Sequence, residues 1–472
     1  MNSFWSHSSG KAFITINMKI RLNGMLNKMG LDGTVLAILS NKIWGMVSHL
    51  VLLYLVITYF TEELQGFFYT FMGLTVFQVL FELGFNIVLL QFISHEWAHL
   101  SFGPDGTIEG DQAALSRLRS LVKLGLSWYL IIAIALFALL GYFGLLFLES
   151  KNEPGLSISV SWWLLCGGTV GFMLTSPLRF FLEGSKQVAR SHWIMLALNV
   201  TSAIAGCLCI LYGARLVVPG IMAGIKAILG LCLLVPACWP FFCLLRLKRK
   251  EATVAWRCEF WPQQWRIGLS WLCGLLMYQA FVPIIFYFHG PAVAGKMGAG
   301  MQIFHAVNIL AGSWLLAVQP RFGMLGARGD YTGLRRLAKR TVVRSMGMAL
   351  AISVCVTGGL SLMQYYDVRQ ADRFPELFPM LVLLVTVILL QLPNVETAAI
   401  RFQKTEPFLI NSLVNAALIF STSIILGRMY GILGIVVGFS FIMMVVVIPW
   451  CHRIYTSKIK DFLSMKEVKV KL

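Results

Sequence analysis

The chain has 472 residues, of which 58% are hydrophobic and only 13% charged, with a formal net charge of +18. Soluble domains average about a quarter charged residues, so this composition, with a mean hydropathy of +0.75, excludes a water-soluble globular protein and points to a chain that crosses a bilayer many times. Such a positive balance suggests nucleic acid in a soluble protein, but in a membrane protein it marks the loops on the cytoplasmic side, and no nucleic-acid partner is expected.

A transmembrane helix takes roughly 20 apolar residues. Runs of that kind fall at 38–60, 67–93, 120–148, 158–181, 191–212, 216–245, 266–288, 294–319, 341–364, 375–400, 408–427 and 431–451. The expected fold is all-α: a polytopic membrane protein with about 12 transmembrane helices. An even number puts both ends on one side. With the N-terminus inside, 32 of the 39 Lys and Arg lie in inner segments and their flanks, which predicts that both termini are cytoplasmic.

Residues 1–37 form a cytoplasmic N-terminal segment in this reading. Trp5, Phe13, Ile16 and Leu22 alternate with Lys11, Lys19, Arg21 and Lys28 and make no apolar stretch of signal-peptide type. The segment reads either as a basic amphipathic element on the inner leaflet or as a disordered tail. In the first span Lys42 and His49 stand one heptad apart with Gly45 between them, hence on one face. Lys42 is placed to snorkel to the headgroups. His49 falls near the midplane, as a buried neutral histidine or as a protonatable group of a transport path.

In the second span Thr75, Gln78, Glu82 and Asn86 recur at helical spacing as one polar stripe. A carboxylate at mid-membrane costs about 2.5 kcal/mol or more unless it faces protein or water, so this helix is expected to line an interior or a cavity. Ser94 to Ser120 reads as a long polar loop, and Ser176-Pro177 should break the fourth span near its inner end. Lys226 lies about ten residues, or ~15 Å, into the sixth span. At that depth it needs an anion, and the candidates are Glu82, another polar group or a substrate phosphate.

Residues 246–265 are a basic cytoplasmic linker dividing two halves, 38–245 and 266–451, with a cytoplasmic tail at 452–472. The stretch Ile285 to Phe304 lines up weakly with Val56 to Phe77, each leading through a short turn to a glycine, Gly295 or Gly66, and then to a polar stripe. In the second copy that stripe is Gln302, His305 and Asn308. The expectation is two six-helix bundles around a central cleft, related by an axis along the membrane normal and rocking about the linker. Gln391, Asn394 and Glu396 crowd the inner half of the tenth span around Pro393, and Asn411, Asn415 and Thr422 share a face of the eleventh. Intramembrane amides are more often helix glue than ligands.

Ten cysteines include no CxxC pair, and nine lie in or at apolar runs. They read as packing residues, with no metal or redox site. The chain contains no P-loop, HExxH or Gly-x-Ser-x-Gly motif. Neither an enzyme nor a cofactor is expected.

Gln65-Gly66, the aromatic-rich helix after it and Glu82-Leu83-Gly84-Phe85 resemble the E-x-G-x-[FY] … [DE]-x-G pattern of polysaccharide flippases. These belong to the multidrug/oligosaccharidyl-lipid/polysaccharide exporter superfamily. Val293 to Arg340 is similar to that family's second-half helix and its Pro-containing cytoplasmic loop. The resemblance implies a flippase of the bacterial inner membrane. It would move an undecaprenyl-pyrophosphate-linked repeat unit of O-antigen or exopolysaccharide to the outer leaflet by alternating access. The implied partners are the lipid-linked oligosaccharide, membrane lipids, the polysaccharide polymerase machinery and a coupling ion, H+ or Na+. Lys42, His49, Lys226 and His305 are then the cationic or protonatable groups and Glu82 an ion-coupling acid. Gln78, Asn86, Gln302, Asn308 and Glu396 complete the expected pathway. Two other readings stay open: a cation-coupled multidrug antiporter of the same superfamily using Glu82 and Glu396, and a membrane-embedded O-antigen polymerase or glycosyltransferase. The last would normally carry a large outer loop, and no expected outer loop exceeds roughly a dozen residues.

Overall fold

The computed structural model describes residues 33–151, 158–246, 254–401 and 407–471. Residues 1–32 of the N-terminal segment, the tip of the 149–155 turn, the linker's Lys248 to Lys250 and Lys404 therefore lie outside the described residues. The helices are α1 Gly33–Tyr59, α2 Glu62–Thr75, α3 Gln78–Glu82, α4 Phe85–Trp97, α5 Gln112–Glu149, α6 Ile158–Met173, α7 Ser176–Gly184, α8 Val188–Leu211 and α9 Val218–Ala237. They continue with α10 Trp239–Arg246, α11 Trp261–Tyr278, α12 Phe281–Ala311, α13 Ser313–Ala327, α14 Tyr331–Tyr365, α15 Leu377–Arg401, α16 Leu409–Ile442 and α17 Ile448–Lys471.

Among the described residues, ten helical stretches are long and apolar enough to cross a membrane. Two of them, Gln264–Gln319 and Leu409–Phe462, run for 56 and 54 residues, more than twice a bilayer's requirement. Each folds back on itself at a glycine in the left-handed region, Gly290 at φ 84° and Gly431 at φ 58°. A Cβ on Gly438 would meet Thr422, and one on Gly434 would meet the Leu426 carbonyl, across the second reversal. Across the first, the rings of Tyr278 and Phe304 face each other at 6.4 Å. With these two reversals the crossings match the dozen expected from the apolar runs. Only glycine takes such backbone angles without steric penalty.

The second crossing departs from the expected continuous helix. It is split into α2, α3 and α4, with Leu83 at φ 48° and Gly84 at φ 70° between the last two. The cause is tertiary. Gly268 of α11 comes so close that a Cβ there would lie 2.9 Å from the Leu83 carbonyl oxygen, and one on Gly84 would lie 2.4 Å from Ile267. The polar stripe is therefore not one face of one rod. The fourth crossing breaks where Ser176-Pro177 predicts it, α6 ending at Met173 and α7 starting at Ser176 with Pro177 in its first turn.

The 94–120 loop contains a feature the sequence reading missed, an antiparallel hairpin of β1 Leu100–Phe102 and β2 Ile108–Gly110, with Leu100 opposite Gly110. Trp97, Phe102 and Phe241 hold it by ring contacts. The second part of the linker packs on the first half, Phe260 against Phe85 and Phe92 and Trp256 against Trp128. Arg117 ties it down ionically. Its Nε donates to Glu96 at 2.8 Å and its Nη2 to Glu259 at 2.7 Å.

In the first half α1 packs on α8, and α6 and α8 pack on α9; in the second, α14 packs on α15 and α11 on α16. The two halves meet chiefly through α2 and α12, and past Gly290 the two helices advance in the same direction, Gly66 meeting Gly295 and Tyr69 meeting Gly298. Gly66 lies against Pro291, Gly295 against Gly66, and Gly298 against the Tyr69 ring. Gln65 reinforces the contact, its Nε2 donating to the carbonyls of Gly295 at 2.9 Å and Arg373 at 3.1 Å. Phe67, Phe71, Phe281 and Phe286 are buried beside it. This seam sets the start of α2 against the reversal at Gly290, and Gly66, Phe67 and Thr70 are buried in it.

Candidate functional site

Below the seam the halves part and enclose a cavity of about 990 Å³. From the first half α1 contributes Lys42, Gly45, Met46 and His49, the face the heptad spacing predicts, and α2 contributes Tyr69 and Met72, with Val76 just past its end. From the second half α12 contributes Gln302, His305 and Asn308, and α15 contributes Asn394, Thr397 and Arg401. Lys42, Gln319 and Arg401 mark the cavity's reach toward the basic ends of the helices.

A side chamber of about 340 Å³ is lined mainly by the first half, through Thr75, Gln78, Thr169, Phe172, Asn199, Ser202 and Lys226. Gly45, His49, Tyr69, Met72, Val76 and Gln302 line both spaces, which therefore adjoin. Lys226 sits with its Nζ 6.0 Å from the centre of the Phe172 ring. Among the described residues it makes no ion pair or hydrogen bond, so the expected pairing with Glu82 is not found.

The polar groups are held by local bonds. His49 donates from Nδ1 to the Gly45 carbonyl, which leaves Nε2 as its other site. Asn308 Oδ1 accepts from Gln391 Nε2 at 3.0 Å and Asn394 Nδ2 at 3.3 Å. This ties the wall formed by α12 to α15. Asn199 donates to Asn41 Oδ1 at 2.9 Å and so fastens α8 to α1.

The acids are elsewhere. Glu82 is buried at the end of α3, where the Tyr129 hydroxyl donates to it at 3.5 Å, and it lines neither space. Asn86 accepts from the Ile87 amide at the start of α4. Glu396 faces away from the cavity and accepts from His452 Nδ1 at 2.7 Å. Of the expected pathway, Lys42, His49, Gln302, His305 and Asn308 come together around the main cavity, and Gln78 and Lys226 around the side chamber. Glu82, Asn86 and Glu396 join neither. For Glu82 and Asn86 the physical reason is the break at Leu83 and Gly84, which reorients the short segments on either side, whereas Glu396 lies on a different face of the unbroken α15 from Asn394 and Thr397.

Sequence reasoning missed Arg401, which reads only as an inner-side flank, and Tyr69, which reads as one more aromatic. Asn199 and Ser202 carried a usable signal, since polar residues a few positions apart on one helix interrupt an otherwise apolar run. Among the described residues neither lining contains an Asp or Glu. The site is thus cationic and amide-rich. Among the described residues no group of His, Cys, Asp and Glu is arranged to hold a metal ion.

Polytopic folds of two helical lobes are also found in solved transporters. The fold is shared with solved membrane transporters, among them proteins described as of the MOP superfamily. One similar structure is "Lipid II flippase MurJ, inward closed conformation", with a TM-score of 0.62 at 12% identity, covering 91% of this chain and 89% of that one. Another is an inward-facing multidrug resistance MATE family transporter, with a TM-score of 0.60 at 14% identity over 88% and 96% of the two chains. A third is a MOP superfamily transporter from Pyrococcus furiosus described as having a binding pocket of reverse polarity, with a TM-score of 0.53 at 13% identity over 91% and 97% of the two chains. At such identities the likeness is one of fold. No protein-family model and no curated protein matches the chain. The protein is accordingly a multi-pass membrane protein, and the neighbours that share its fold are transporters.

Proposed function

We propose that the protein is a flippase for a lipid-linked oligosaccharide, carrying an undecaprenyl-pyrophosphate-linked repeat unit of O-antigen or exopolysaccharide across the bacterial inner membrane by alternating access. One observation carries this reading. Lys42 and Arg401 stand on the main cavity wall together with His49 and His305, and among the described residues that wall carries no carboxylate. A pyrophosphate moving through a poorly screened passage needs fixed positive charge along it, since two unit charges 4 Å apart interact by about 4 kcal/mol at an effective dielectric of 20. An organic cation in the same space meets that interaction with the opposite sign. The multidrug-antiporter reading is the weaker one for this reason.

The amides Gln302, Asn308 and Asn394 supply the hydrogen bonds that sugar hydroxyls require. Glu82 and Glu396, withdrawn from the substrate space, are the groups available to a coupling ion, H+ or Na+. The sealed seam of α2 and α12 and the basic ends around the cavity fit a form open toward the cytoplasm, where such a substrate is made. In this reading both termini are cytoplasmic and the halves 38–245 and 266–451 are the moving bodies.

The test is flipping of a fluorescent undecaprenyl-pyrophosphate oligosaccharide in proteoliposomes. The double substitution Lys42→Gln with Arg401→Gln should slow flipping about tenfold or more, and Lys42→Arg with Arg401→Lys should retain most of it. Unchanged flipping in the neutralised protein, or ion-driven uptake of an organic cation in place of flipping, would overturn the proposal.

A further inference from the structure

We propose that the side chamber is a specificity pocket for an acidic sugar residue, with Lys226 pairing the sugar's carboxylate. The inference rests on the oligosaccharide reading above and adds a substrate class to it. A volume of about 340 Å³ lies at the small end of the ~300–1,000 Å³ range of ligand pockets, suited to a sugar-sized group and not to a whole repeat unit.

Its walls combine three kinds of partner. Phe172 offers an aromatic face, Thr169, Asn199 and Ser202 offer hydroxyl and amide groups, and Lys226 offers the single full charge. The hydrogen-bonding capacity that remains is directional. Ser202 commits its hydroxyl proton to the Met222 carbonyl at 3.0 Å and Asn199 one amide proton to Asn41, so the oxygens of both stay available as acceptors for sugar hydroxyls. Lys226 has no anionic partner among the described residues, only the Phe172 ring at 6.0 Å. An unpaired ammonium in so apolar a setting is costly, and a ligand carboxylate arriving there recovers that cost.

The pyrophosphate is the poorer candidate for this position. It is bound to a lipid tail that stays in the bilayer, whereas the chamber adjoins the main cavity at His49, Tyr69 and Gln302. The distal, sugar end of the substrate is what reaches it. Neutral oligosaccharides of the same size would leave Lys226 unpaired and bind less well, so the chamber discriminates by charge.

The experiment measures binding of methyl glucuronide and methyl glucoside to the full-length protein in lipid nanodiscs by saturation-transfer NMR and titration. The glucuronide should bind about tenfold or more tightly than the glucoside, the scale of a charge-assisted bond. Lys226→Met should abolish the preference. Asn199→Asp, which keeps Lys226 but places a carboxylate in the chamber, should abolish it too and guards against a variant that fails to fold. Equal binding of both sugars by the native protein, or a preference surviving Lys226→Met, would overturn the specificity pocket while leaving the oligosaccharide reading intact. Binding of neither sugar, with binding of an organic cation dye, would overturn both.

Discussion

Gly66→Ala should push the protein away from the sealed arrangement. The Cβ it adds would lie 1.7 Å from the Pro291 carbonyl oxygen, 2.4 Å from its carbon and 2.8 Å from its Cα. All three are backbone atoms beside the reversal at Gly290, so no side-chain rotation relieves the clash. Ordinary contact begins at about 3.4 Å, and α2 and α12 must separate by more than 1 Å. Overpacking of that kind costs typically about 1–3 kcal/mol, and it acts on the sealed state alone, because in the opened state the two backbones part. The open population should therefore rise roughly 5- to 150-fold. The readout is an impermeant thiol reagent applied from the sealed side, with Thr70→Cys as reporter in a background lacking the ten native cysteines. Thr70 is fully buried one turn beyond Gly66, and should label slowly in that background and much faster with Gly66→Ala. Gly347→Ala is the control, since nothing lies within 4 Å of a Cβ there. Equal labelling in both variants, with α2 still folded, would refute a seam held by backbone approach.

Two further outcomes follow from particular bonds. The Arg117 hydrogen bond, aided by the Ala255 amide, holds the Glu259 carboxyl below its usual range. The stabilisation is thus complete above the ordinary glutamate pKa of about 4.3 and is lost as pH falls through the lower folded value. Glu259→Gln should lower the unfolding temperature at pH 7 and be nearly neutral at pH 3, a loss of at most about 1 kcal/mol for a surface pair; an equal loss at both values would count against the clamp. Asn308→Leu strips an acceptor from Gln391 and Asn394 and should destabilise the protein by about 1–3 kcal/mol in detergent unfolding. Asn308→Asp, which still accepts from both amides, should lose less, and a ranking the other way round would show that the amide cluster is not what joins α12 to α15.

What could be read from single residues depended on how far their environment is set by neighbours in sequence. The heptad of Lys42, Gly45 and His49 was legible because α1 is an unbroken helix, and a straight helix carries its face with it. The stripe of Thr75, Gln78, Glu82 and Asn86 was legible as polar but misread as continuous, because the break at Leu83 comes from Gly268, nearly two hundred positions away. Lys226 was recognisable as a charge needing a partner, and which partner it lacks was not.

The sequence alone determined that the chain spans a membrane about a dozen times as helices. In lipid each segment must satisfy its own backbone hydrogen bonds, so apolar length and loop charge act locally and can be counted. Tertiary structure alone decided which polar residues share a space: cations and amides around one cavity and its side chamber, with Glu82 and Glu396 turned away to Tyr129 and His452. The rotation of each segment about its axis is set by close contacts such as Gly66 on Pro291 and Gly268 on Leu83, and residues so distant in the chain leave no periodicity from which their meeting could be read.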